Sequence, residues 1–282
     1  MNRRDLLKAS IGGLAVRAFA QRAGNPTVID AGGANLVAFD SGEGLILVDS
    51  GPPKSSSGAS GAHIVFNTHY HLDQTGNNEI FAGQGAKILA HERTRQWMST
   101  DYWVPAEDRY EKARPKAARP TEVFETTGSL KAGNEQVDYG YLLLAHTDGD
   151  IYVHFKNANV LAVGDVASPL RDPALDWFTG AWIGGRVDAM DQLLKIANDQ
   201  TKIVPAYGPV MTRAELKAER DMMNEVRKRL FDQVRQGEGP QDMLEAGLLN
   251  GLPRTWKDPA KFLYDASKGL WAHHDKIDPN VV

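Results

Sequence analysis

The segment Thr68-His69-Tyr70-His71-Leu72-Asp73-Gln74 sets two imidazoles two residues apart and a carboxylate two further on. It follows the apolar run Ile64-Val65-Phe66-Asn67, which reads as a buried strand. Alternate side chains of an extended or turning segment share a side. His69 and His71 therefore aim at one point, and Asp73 at an adjacent one. Three protein ligands with one open position make a catalytic zinc site, with Zn–N near 2.0–2.1 Å. A third imidazole, His146, ends the run Tyr141-Leu142-Leu143-Leu144-Ala145 and precedes the turn Thr147-Asp148-Gly149-Asp150. Asp165 ends the run Asn159 to Gly164, and Asp49 ends Leu45 to Val48. The design repeats: a strand, then a potential ligand at its tip.

The remaining side chains narrow the chemistry. There is no cysteine, so thiol nucleophiles, thiolate metal sites and disulfides are excluded. His63, His91, His154, His273 and His274 stand alone and read as surface or packing residues, and Asp148 and Asp150 as shaping the turn after His146. Trp103, Trp177, Phe178 and Trp182 are equally suited to lining a pocket or to packing. The paired glycines do not have the dinucleotide-binding spacing. The net charge is −4 without a face-sized basic run, so nucleic acid is not an expected partner.

The elements that must position these groups can be read in outline. The chain has 282 residues, 42% hydrophobic and 24% charged, enough for a sizeable core and unlike a disordered or fibrous protein. Short β-type runs at 27–30, 35–39 and 45–49 suggest a hairpin or meander, followed by a Ser/Gly/Pro-rich loop at 52–60. A helix through Phe81, a strand at 87–90 and a helix at 91–99 follow, then an irregular or helical insertion at 100–120 near the mouth of a site. Strands at 137–146, 151–155 and 160–164, a helix at 187–197 and a strand at 202–205 form a second half. Leu216, Met223, Val226 and Leu230 recur at helical spacing and predict a long helix over 212–236. Two halves, each sheet then helix, suggest layered sheets with helices outside.

In this order the residues resemble the metallo-β-lactamase superfamily, over roughly Asn35 to Met211. His69, His71 and Asp73 match its H-x-H-x-D-H motif, His146 its next imidazole, Asp165 its G-D aspartate and Asp49 its early strand end. The resemblance implies a four-layer αββα sandwich over residues 21–211, with 212–282 as a C-terminal helical extension packed on it. It assigns one metal to His69, His71 and His146, and a second to Asp73 with two imidazoles, Asp165 bridging. Two positions depart: Gln74 and Tyr207 stand where those two imidazoles belong. Amide and neutral phenol oxygens are poorer zinc ligands than imidazole. The expectation is one zinc ion, with the second position weak or empty. The implied activity is hydrolysis of a small ester, lactone, thioester or amide through a metal-bound hydroxide, with Asp73 handling the water's proton and Tyr207 aiding the oxyanion or leaving group. The departures also allow a non-catalytic binding member, and phenolate with carboxylates would suit iron.

Residues 1–20 read as a processing segment. Arg3 and Arg4 precede a short apolar stretch, Ala9 to Val16, too short to span a bilayer, and Ala18-Phe19-Ala20 offers a small-x-small cleavage site. The pattern resembles a twin-arginine export signal. No later segment is long and apolar enough to span a membrane, so the expected location is periplasmic or otherwise exported. Terminal sequencing of the exported protein is expected to start at Gln21; a start well upstream would refute the cleavage site.

Overall fold

A computed structural model describes residues 24–55, 59 and 61–273. The export-signal reading of residues 1–20 and the packing reading of His274 lie outside the described residues.

The first sheet runs β1 (Thr27–Ala31), β2 (Ala34–Asp40), β3 (Leu45–Val48), β4 (Ala62–Phe66), β5 (Lys87–His91) and β8 (Glu122–Phe124). β1 to β3 form an antiparallel meander, whereas β3, β4, β5 and β8 are mutually parallel. Their C-terminal ends therefore open onto one rim. The second sheet runs β13 (Lys202–Pro205), β12 (Val160–Gly164), β11 (Ile151–Phe155), β10 (Glu135–Tyr141) and β9 (Thr127–Ala132). It is antiparallel except for β12 and β13. That parallel pair needs a crossover, supplied by α4 (Ile183–Ile196).

Period-two patterning decides the layers. Val37, Phe39, Ile46, Val48 and Phe66 face Val153, Phe155 and Ala162 of the opposite sheet, with the Phe39 and Phe155 rings 5.5 Å apart. The intervening residues Leu47, Val65 and Ile88 point the other way and pack with Phe81 of α2 (Asn78–Gly83). Leu161 and Val163 turn outward onto α4, α5 (Arg213–Arg235) and α7 (Pro259–Ala272). Helix, sheet, sheet, helix is the αββα arrangement. The long helix starts at a capping box between Thr212 and Glu215, and its Leu216, Met223, Val226 and Leu230 are buried.

The structure redraws several elements. The strand expected over 137–146 ends at Tyr141. The apolar run beyond it leaves the sheet: Leu144 takes a left-handed φ of 52° and its carbonyl accepts from Trp182 N at 3.2 Å, at the start of α4. That helix begins at Ile183, before the expected Val187. Insertion 100–120 contains a hairpin, β6 (Tyr102–Val104) with β7 (Arg109–Glu111), and β8 and β9 are strands the sequence did not signal. Among the described residues the remaining short α-helices are α1 (Leu72–Thr75), α3 (Glu92–Ser99) and α6 (Pro240–Glu245). Among the described residues no helix is long and apolar enough to cross a membrane.

Phe155 is fully buried between the sheets. Phe155→Ala is expected to cost about 3–5 kcal/mol, read as a lowered urea midpoint at unchanged slope.

Candidate metal centre

The ligand segments leave the rim where the parallel strands end. β4 runs out at Phe66, and the chain turns through Asn67 and Thr68 to His69 and His71, the latter heading α1. Asn67 is held by a reciprocal side-chain pair with Asn78 (3.1 and 2.8 Å), which ties this turn to α2. His146 is not at a strand tip but on the turn beyond β10. Asp150 fixes that turn by accepting from the backbone N–H of His146 (2.6 Å) and Thr147 (2.8 Å) and from the Thr147 hydroxyl (2.7 Å). Asp165 follows β12 directly. Gly164, at φ 57°, lets the chain turn there; a β-carbon would sit 2.9 Å from the Thr68 side chain.

Three imidazole nitrogens converge. Nε2 of His69 and Nε2 of His146 each lie 3.1 Å from Nδ1 of His71, and all three lie within 4.8 Å of one another. A tetrahedral centre with bonds of about 2.0–2.1 Å would space its ligand atoms by about 3.3 Å, so the triad fits a metal ion.

Each far nitrogen is held from behind. His69 Nδ1 donates to Thr68 Oγ1 at 3.1 Å, and that hydroxyl donates to Asp49 Oδ2 at 2.8 Å. The Thr68 amide reaches Asp49 Oδ1 at 2.8 Å, and Asp49 itself bends the chain with a φ of 64°. His71 Nε2 donates to Asp176 Oδ2 at 2.7 Å, which also accepts from Tyr70 Oη at 2.5 Å. His146 Nδ1 donates to the Ala174 carbonyl at 2.9 Å. Partners of this kind set the tautomer and ring orientation of a ligating histidine.

The charges are ordered accordingly. Burial, with His71 and His146 beside it, holds His69 well below the usual imidazole range, so it is neutral. Burial works against a charge on His71 as well, but the Asp176 carboxylate outweighs it and lifts His71 to about 9. The same pairing overcomes burial at Asp176 and brings it down to about 2. A cation at the centre would replace the proton on His71 Nδ1. Asp49 is pushed up to about 8 by burial, against the two hydrogen bonds from Thr68 that favour its carboxylate.

The second-position residues are arranged differently. Asp165 Oδ2 lies 3.6 Å from His69 Nε2, and burial raises its pKa. Tyr207, on the turn after β13, donates its hydroxyl to Asp73 Oδ2 at 2.5 Å. Burial and that bond raise the phenol's pKa, which favours the neutral donor over the phenolate. The Arg171 guanidinium covers its ring at 3.2 Å from the centroid. The Gln74 amide is fully buried, with a hydrogen-bond partner for neither atom.

A cleft of about 630 Å³ opens beside the triad and reaches it at His71. His71 and Asp73 form its floor, Tyr70, Tyr102 and Phe178 its walls, and the hairpin adds Arg109 to the rim. Of the four aromatic residues singled out in the sequence, only Phe178 lines it. Trp103 is on the hairpin against Tyr110, Trp177 meets Tyr264, and Trp182 is buried under α7. His91 caps α3 and stacks on Tyr141 at 3.9 Å, a packing role. His273 donates to the Gly180 carbonyl at 2.9 Å and stacks on Trp182. Sequence reasoning missed Asp176 and the Ala174 carbonyl altogether, because no motif marks the stretch that carries them. Thr68, adjacent to the first ligand, was there to be noticed.

A sequence model of the metallo-beta-lactamase superfamily matches residues 29–208. The chain belongs to that superfamily. Solved structures share its fold at low identity. A metallo-beta-lactamase from Pontibacter korlensis is 18% identical with a TM-score of 0.56, over 71% of this chain and 93% of that one. An archaeal superfamily protein from Sulfolobus tokodaii is 14% identical with a TM-score of 0.54, over 71% and 86%. A sec-alkyl sulfatase variant is 12% identical with a TM-score of 0.60, over 85% of this chain and 47% of that one.

Asp176→Asn keeps the shape and removes the charge behind His71. It is expected to weaken metal binding about 10- to 100-fold, measured by competition with a chromophoric chelator.

Proposed function

We propose that the protein is an exported, zinc-dependent hydrolase that cleaves a small ester, lactone, thioester or amide at a mononuclear site. Residues 21–211 carry the site and 212–282 buttress it. The observation that supports this reading is the convergence of three imidazole nitrogens, each fixed from behind, next to an open cleft that His71 and Asp73 line. Zinc at His69, His71 and His146 would supply Lewis acidity and bring the pKa of water toward 7.

The protein's own groups do the rest. Asp73 faces the cleft beside His71 and takes a proton from the attacking water at its free Oδ1, since Oδ2 is engaged by Tyr207. Tyr207 keeps its proton and, by donating a hydrogen bond to Asp73 Oδ2, orients that carboxylate. The same bond occupies an oxygen that a second ion would need, and Tyr207 and Gln74 supply no imidazole there. Asp165 is held near His69 and steadies the charge of the occupied centre. The apolar walls from Tyr70, Tyr102 and Phe178 suit a substrate with an apolar body.

Metal analysis of purified protein is expected to give one zinc per chain, and a panel of esters, lactones, thioesters and amides to show chelator-sensitive turnover. His71→Ala should abolish both zinc and turnover, and Tyr207→Phe should lower kcat roughly 10- to 100-fold with zinc retained. An active, metal-free His71→Ala protein, two tightly held zinc ions, or ligand binding with no turnover would each overturn the reading.

A further inference from the structure

The stretch from Asp165 to Asp176 supplies two of the three bonds behind the imidazoles: the Ala174 carbonyl to His146 and the Asp176 carboxylate to His71. It also carries Asp165. The stretch has little regular structure of its own, so something must hold it. Three charged residues from outside the matched family region or from α4 do so. Arg186, on α4 and fully buried, donates to Ser168 Oγ at 2.8 Å and to the Ala174 carbonyl at 3.4 Å. Glu219, on α5, accepts from the Ser168 N–H at 2.8 Å and lies 3.6 Å from Arg186. Arg254, between α6 and α7, donates to the Ser168 carbonyl at 2.7 Å and the Arg171 carbonyl at 2.6 Å, 3.8 Å from Glu219. Asp172 adds a tie by accepting from the N–H groups of Lys257 and Asp258 at 2.8 and 2.7 Å.

Two guanidiniums against one carboxylate leave an excess positive charge in a dry environment. A buried charge cluster of this kind contributes less to stability than to fixing one geometry. Here the geometry fixed is that of the segment behind the metal centre.

We infer that Arg186, Glu219 and Arg254 form a charged clasp by which the C-terminal helices position the Asp165–Asp176 stretch, and through it the imidazoles of His71 and His146. The inference rests on the reading of the triad as a metal centre. These are positioning residues: none of them touches the triad, and their effect passes through Ser168, Arg171 and Ala174. Arg186 is too deeply buried for a clean substitution, whereas Arg254 lies at the edge of the cluster.

The test uses the full metal-free chain titrated with cobalt(II), read by its visible bands and by competition with a chromophoric chelator. Arg254→Met is expected to weaken cobalt binding about tenfold or more and to shift the bands. Arg254→Lys, which restores charge and part of the hydrogen bonding, should recover most of both. Arg229 ties α5 to the same C-terminal segment through the Leu248 and Asn250 carbonyls at 2.8 and 2.9 Å, without reaching the stretch. Arg229→Met should therefore leave affinity and bands unchanged, whatever it does to thermal stability. Wild-type affinity and spectrum in Arg254→Met, or an equal loss in Arg229→Met, would overturn the clasp. A wild-type chain that binds no cobalt would overturn the metal reading, and the clasp with it.

Discussion

An imidazole can offer a lone pair to a cation only from a nitrogen that carries no proton, and which nitrogen that is depends on what the other one meets. In this protein the three far nitrogens meet a hydroxyl, a carboxylate and a backbone carbonyl. Those three hydrogen bonds turn two Nε2 atoms and one Nδ1 atom toward a common point. The mixed choice follows from chain geometry: His71, two residues after His69, comes at the centre from the opposite side of its own ring. Without the partners, the rings would be free to rotate or exchange tautomers, and the strand ends would deliver side chains without delivering a site.

The fold serves that requirement. Parallel strands open their C-terminal ends onto one rim, so short turns after β4 and β12 bring ligands from both sheets together. The partners come from a third place. Asp49, at the end of β3, steadies His69 through Thr68, while the stretch after Asp165 steadies the other two. The imidazole cluster therefore draws on both sheets and the segments behind them, and the sandwich core between the sheets keeps those sources in register.

Much of the centre was legible because its ligands are local. The spacing of His69, His71 and Asp73 and the aspartates that close apolar runs are properties of short segments, readable without knowing the fold. Asp176 was not legible, since its bond to His71 spans 105 residues and its neighbours carry no pattern. Arg186 and Glu219 were silent for a related reason: a charged residue in a helical run reads as a solvated face until the tertiary structure buries it, and Arg254 lies in a connection with no pattern at all. The strand expected through His146 failed on a related point. Its leucines looked like sheet core, but they leave the sheet to meet the start of α4, and the turn that presents His146 is built by Asp150 instead.

The β6–β7 hairpin forms a two-stranded sheet apart from the two main ones. It is anchored mainly near its ends, where Arg114 N donates to the Met98 carbonyl at 2.8 Å and Asp101 accepts from Ala113 N at 2.9 Å. Its Tyr102 also packs edge-on against Tyr70, which donates to Asp176, whereas its tip, around Arg109, lines the cleft without reaching the groups behind the imidazoles. The lineage could therefore lengthen, shorten or recolour the tip of this flap and alter what the cleft admits while the imidazole cluster stayed untouched, a division of labour that loosens selection on one part without endangering the other.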